Sequence, residues 1–169
     1  MKTLVLSLLL LLQAVTFLPL IQCNMIQQTC KQTPFYNLCF SSLKSDPRSS
    51  TADVPKLGLI MVDIIKSKAT QMVEQIKVLQ KQHKALQKPL SDCHGRYNAV
   101  LVGDVPQAVE ALEKGDYKFA EDSATDAAIE ADSCERSFSA GKSPISQKNK
   151  LFHDLSVITA SIVKILLAG

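Results

Sequence analysis

Between Leu57 and Leu79 the apolar residues fall at Leu57, Ile60, Met61, Ile64, Ile65, Ala69, Met72, Val73, Ile76 and Leu79. Steps of three, four and one put all of them on one side of an α-helix; in a strand they would scatter over both faces. Asp53 is a side-chain acceptor in front of the stripe, and Pro55 suits a first helical turn. The pattern predicts a helix from there to about Lys84. A stripe this long needs other stripes to cover it. The chain supplies three. One starts near Pro89 and runs through Leu90, Cys93, Tyr97, Leu101, Val105, Ala108, Val109 and Leu112, ending at Gly115. Within it, Pro106 lacks an N–H and crowds the carbonyl of Val102, which predicts a kink near Gly103. The next carries Phe119, Ser123, Ala127, Ala131, Cys134 and Phe138, a mostly small inner face with Phe119 read as its first core residue. After the break GKSP at 141–144, the last runs from about Ile145 through Leu151, Leu155, Ile158, Ile162, Ile165 and Leu166. Four such helices with short connections predict an all-α, up-down-up-down four-helix bundle over 53–168.

The first 23 residues have a different character. One lysine, Lys2, precedes a long apolar run, and no acid occurs before Asp46. A basic start, an apolar centre and a small residue near the end predict a secretory signal peptide over 1–23, so that the domain occupies 24–169. The run from Thr3 to Ile21 approaches the length of a membrane span. Gln13 and Pro19 interrupt it, however, and no basic stop-transfer cluster follows. Loss of the leader also removes Cys23, leaving Cys30, Cys39, Cys93 and Cys134. An even set in an exported chain suggests two disulfides. Cys93 lies 22 residues before Gly115 and Cys134 lies 19 after it. At ~1.5 Å per residue their heights on antiparallel neighbours differ by about one turn. They can therefore meet, and Cys30 is left to Cys39. That pair would close a helical hairpin over 24–50, bent at Thr33–Pro34 and too short to hold itself together.

Charge and motifs narrow the function. The formal net charge is +3, one unit of it from Lys2, which gives no reason to expect nucleic-acid binding. Residues 56–88 carry seven lysines against Asp63 and Glu74. Residues 104–135 carry ten acids against Lys114 and Lys118. These read as two solvated helix faces that attract each other side by side. The chain has no G-x-S-x-G, H-E-x-x-H or glycine-rich phosphate loop. It has no C-x-x-C, and His83, His94 and His153 do not stand at ligand spacing from a cysteine pair, so no metal and no cofactor is expected.

The segments TCKQTPFYNLC, SDPRSSTAD, LSDCHGRYNAV and GDYKFAEDSATDAAIEADSCERSF resemble the plant invertase inhibitor and pectin methylesterase inhibitor family across nearly the whole mature chain. The resemblance implies a hairpin appended to a four-helix bundle, with disulfides first-to-second and third-to-fourth. It implies an inhibitor rather than an enzyme. The stretch SDPRSSTADVPKLGLIMVDIIKSKAT looks like the cell-wall and vacuolar invertase inhibitors, and KGDYKFAED aligns with their Pro-Lys-Phe motif in the loop between the second and third bundle helices. Here the motif reads Tyr117-Lys118-Phe119, with tyrosine in place of the proline. The implied partner is an acid invertase bound one-to-one through Asp116, Tyr117, Lys118 and Phe119. The alternative partner is a pectin methylesterase. The implied location is the apoplast, cell wall or vacuole, with no membrane attachment after the leader is removed.

Overall fold

The computed structural model describes residues 25–139 and 143–168. The leader expected over 1–23 and part of the 141–144 break lie outside the described residues. Residues 25–30 form a helix, α1. It is followed by α2 (Tyr36–Lys44), a 3-10 turn (Pro47–Thr51) and α3 (Val54–Gln82). A second 3-10 turn, Lys84–Leu86, leads into α4 (Gln87–Ala99), a π turn (Val100–Asp104) and α5 (Val105–Lys114). The chain ends with α6 (Tyr117–Arg136) and α7 (Ser146–Leu167). No strand occurs among the described residues. No helix among them is long and apolar enough to cross a membrane.

Local chemistry explains the boundaries. Asp53 caps α3, its carboxylate accepting from the Lys56 N–H at 3.1 Å, and Pro55 sits in the first turn. Residues 99–105 keep right-handed helical angles at both junctions, so α4, the π turn and α5 form one rod. The predicted kink is this π turn. The Val105 N–H reaches back to the Val100 carbonyl, five residues away, and one extra residue is taken up before Pro106. The inner line steps accordingly from Val100 to Val105, both buried, and Leu101 is only half-buried.

The bundle consists of α3, the α4–α5 rod, α6 and α7. Packing is most extensive between α6 and α7, where the inner line of α6 is Ala120, Ser123, Ala124, Ala127, Ala128, Ala131 and Cys134. Small side chains let α7 approach closely with Phe152, Leu155, Ile158 and Ile162. Two positions depart from the expected stripes. Phe119 is 50% exposed and Ala120 takes the core position, because the inward line of α6 passes one residue to the side of Phe119. Leu151 is at the surface and Phe152 is buried in its place. The charged faces meet only in part, through the α5 portion of the acidic stretch, which packs on α3. Lysine-rich α3 packs on the α4–α5 rod and on α7, as acidic α6 does. α3 and α6 thus stand diagonally and do not lie side by side among the described residues.

Both cysteine pairs are disulfide-bonded. Cys30–Cys39 (Cα–Cα 5.6 Å) closes the α1–α2 hairpin, and Cys93–Cys134 (Cα–Cα 4.6 Å) ties α4 to α6. The residue absorbed in the π turn removes part of the height difference between Cys93 and Cys134. The hairpin rests on α3 and α7 and is held at its foot by Arg48, which bonds both Asp46 and Asp63 at 2.7 Å. A polar bridge crosses the core above the second disulfide. The Tyr97 hydroxyl donates to Asn149 Oδ1 at 2.7 Å, and Asn149 Nδ2 donates to the Ala131 carbonyl at 2.9 Å.

Candidate functional site

The reversal between α5 and α6 is two residues long. Gly115 takes the left-handed conformation (φ 76°, ψ 14°), which costs glycine little. Its N–H bonds Leu112 O at 3.3 Å, and the Asp116 N–H bonds Ala111 O at 2.8 Å, a Schellman closure. Asp116 then caps α6, its Oδ1 accepting from the Phe119 N–H at 3.3 Å. Tyr117, Lys118 and Phe119 therefore form the first helical turn of α6, where the family resemblance implies a loop. Tyr117 is half-buried against the core. Lys118 is 65% exposed at the side chain. Phe119 walls a shallow recess of about 220 Å³ with Gln107, Glu110, Ala111, Lys114 and Asp116.

Electrostatics in this turn are local and acidic. Lys118 Nζ lies 2.6 Å from Asp122 Oδ1 and 3.3 Å from Glu121 Oε2 on its own helix. Asp122, then Glu121, raise the Lys118 pKa above its ordinary value, so the ammonium stays charged. On α5 the Lys114 ammonium holds the Glu110 carboxyl below its usual range. An ammonium on a flexible stem, an exposed phenyl ring one residue along and a hydrogen-bonded two-residue turn before them make an exposed knob, its ammonium paired with Asp122 and Glu121. Such a knob can enter a carboxylate-lined pocket once it exchanges its pairing with Asp122 for the pocket's acids. It offers no nucleophile-and-base pair. Among the described residues no group of three or more His, Cys, Asp or Glu could hold a metal ion.

Of the expected partner-binding residues, Asp116 and Phe119 share the recess, Lys118 is exposed against Glu121 and Asp122, and Tyr117 turns partly inward. The histidines stay apart from this surface. His153 lies between α6 and α7, 3.2 Å from Asp154 and 3.7 Å from Asp132. Sequence reasoning missed Asp104, whose Oδ2 is buried in the π turn. The predicted kink was the available signal. It also missed Asn149, a polar residue on an otherwise apolar line, which signals a buried partner.

A family model described as "Plant invertase/pectin methylesterase inhibitor" matches residues 24–162. The chain is 43% identical over 139 residues to "Cell wall / vacuolar inhibitor of fructosidase 1" of Arabidopsis thaliana, covering 82% of this chain and 67% of that protein. It is 33% identical to a "Putative invertase inhibitor" of Platanus acerifolia, covering 95% and 92%. It is 32% identical to the "Pectinesterase inhibitor" of Actinidia deliciosa, covering 68% and 63%. A solved pectin methylesterase inhibitor from Arabidopsis has the same fold, with a TM-score of 0.70 at 20% identity over 80% of this chain and 93% of that one.

Proposed function

Because the chain belongs to the plant invertase/pectin methylesterase inhibitor family, we propose that it is a proteinaceous inhibitor of acid invertase. It forms a one-to-one complex in the apoplast or vacuole. The observation that carries this reading is the Lys118 ammonium, exposed in the first turn of α6 directly beyond a rigid reversal. Relatives named for inhibition of fructosidase and invertase support it. An invertase holds one carboxylate as nucleophile and one carboxylic acid at the floor of a sugar-sized pocket. Lys118 enters that pocket and replaces its contacts to Asp122 and Glu121 with contacts to those acids. Phe119 packs on the pocket rim. Asp116 and Gly115 hold the turn in shape before contact, so little ordering cost remains at binding. Sucrose is excluded by occupancy, and no covalent step is involved.

The test is a side-by-side assay of the mature protein against an acid invertase and a pectin methylesterase. Inhibition of invertase is expected. Lys118→Ala should weaken it about thirtyfold or more, as for truncation of one member of a desolvated charge pair, with an unchanged helical spectrum. Equal inhibition by Lys118→Ala and the parent refutes the knob. The second reading, supported by the Actinidia relative, is inhibition of pectin methylesterase, and the same assay decides for it if only that enzyme is blocked.

A further inference from the structure

Asp104 closes the π turn at the junction of α4 and α5. Its Oδ2 is buried and has no hydrogen-bond partner among the described residues. The charges that act on it come from α6, Asp126 and Glu130. Of these two, Glu130 is paired with Arg96 of α4, whose Nη1 lies 3.0 Å from its Oε2. The Arg96 Nε is buried and unpaired among the described residues. No cation is among the charges that act on Asp104. The turn also touches α3 and α5, but neither supplies a charge that acts on Asp104.

We propose that Asp104 is a proton-operated latch that seats the π turn against α6 when neutral and loosens it when ionised. Two structural facts carry this. The π turn is a local departure from helical pairing, held in place by its surroundings. Its one ionisable side chain has a buried oxygen and faces like charges across the helix interface. The latch lies in the arm that ends at the Gly115 reversal, so its state bears on how firmly that arm is held. The latch does not depend on which enzyme the protein meets.

The sign follows from proton linkage. Burial first, and then Asp126 and Glu130, push the Asp104 carboxyl up to about 6 from an ordinary 3.8. The folded chain therefore binds this proton more tightly than the unfolded chain. The resulting stabilisation is complete below about pH 4 and is lost as the pH rises through about 6. Asp46, Glu74 and Glu110 are displaced the other way, so their contributions are lost as the pH falls. They are common to parent and variant and cancel in a comparison.

The experiment is thermal unfolding of the mature protein from pH 4.5 to 7, parent against Asp104→Asn, with amide exchange over 100–104 at both ends. Asparagine copies the shape of the neutral acid. The parent's midpoint should fall between pH 4.5 and 7 by about 3 °C more than that of Asp104→Asn, allowing for partial solvent screening. Exchange over 100–104, corrected for intrinsic rate, should quicken severalfold at pH 7 in the parent alone. Parallel pH curves for the two proteins overturn the latch. If Asp104→Asn does not fold, Asp126→Asn decides. A smaller pH-dependent fall than in the parent supports the latch, and an unchanged fall overturns it.

Discussion

Replacing Tyr97 with phenylalanine isolates one hydrogen bond in the core. The ring of Tyr97 stacks edge-on against Phe152, with centroids 5.0 Å apart, and phenylalanine keeps that contact. Only the hydroxyl leaves, and with it the 2.7 Å bond to Asn149 Oδ1. Asn149 is 3% exposed, so water cannot replace the lost donor without opening the bundle. A buried acceptor left unsatisfied costs about 1–3 kcal/mol, partly offset because the tyrosine hydroxyl no longer has to be desolvated. We expect Tyr97→Phe to cost about 1.5 kcal/mol, roughly 3–6 °C in midpoint for a chain of this size. Asn149→Leu should cost a similar amount by stranding the Tyr97 hydroxyl. The double variant removes donor and acceptor together and should be less destabilised than the sum of the singles by about 1 kcal/mol or more. Urea unfolding followed by circular dichroism, with disulfides intact, measures all four proteins. Additive costs within about 0.5 kcal/mol, or a Tyr97→Phe cost below that, would refute the bridge between α4, α7 and α6.

Other outcomes follow from the turn and the cross-links. Non-reducing peptide maps should contain the 30–39 and 93–134 pairs, and a 30–93 or 39–134 peptide would contradict the fold. Cys93→Ser/Cys134→Ser should lower stability by about 4 kcal/mol in the chain-entropy model, and the 30–39 pair should contribute less; urea midpoints compare them. Gly115→Ala places a Cβ at φ 76° and should cost about 1 kcal/mol from backbone strain, seen as a lower melting midpoint. Tyr117→Pro puts proline at the first helical position, where its φ is suited, and should leave invertase inhibition unchanged or stronger in a titration assay. Phe119→Ala should leave the unfolding free energy within about 0.5 kcal/mol of the parent, since the ring is half in solvent, while weakening inhibition; a large loss of stability would contradict its surface position.

The bundle was legible where one residue type has one physical use. Asp53, Gly115 and Asp116 could be read as caps because few residues satisfy helix ends, and the apolar stripes could be read because burial repeats with the helix. The errors arose where rotation about a helix axis decides. Phe119 and Leu151 each have a neighbour one position along, Ala120 or Phe152, that competes for the inward line, and periodicity alone does not rank them. Pro106 announced an irregularity, but whether a helix answers with a kink or a π turn depends on what packs around it. The diagonal arrangement of α3 and α6 is a property of bundle order, which charge counts do not contain. At the candidate site, Lys118 is picked out by the family motif and Asp116 by its capping chemistry. The pairing of Lys118 with Asp122 depends on which way the lysine stem turns along α6, which residue type does not contain.

The Cys93–Cys134 bond and the Gly115 reversal sit at opposite ends of the same pair of rods. A protease that cut between Gly115 and Asp116 would open the protruding end and leave the two pieces covalently joined at the other. Neither fragment could diffuse away, and the cut ends would remain at high effective concentration beside each other. A nicked molecule would therefore run as intact without reductant and as two bands with it, and it would unfold as one body. A turn that can be cut without releasing either piece tolerates damage at that turn.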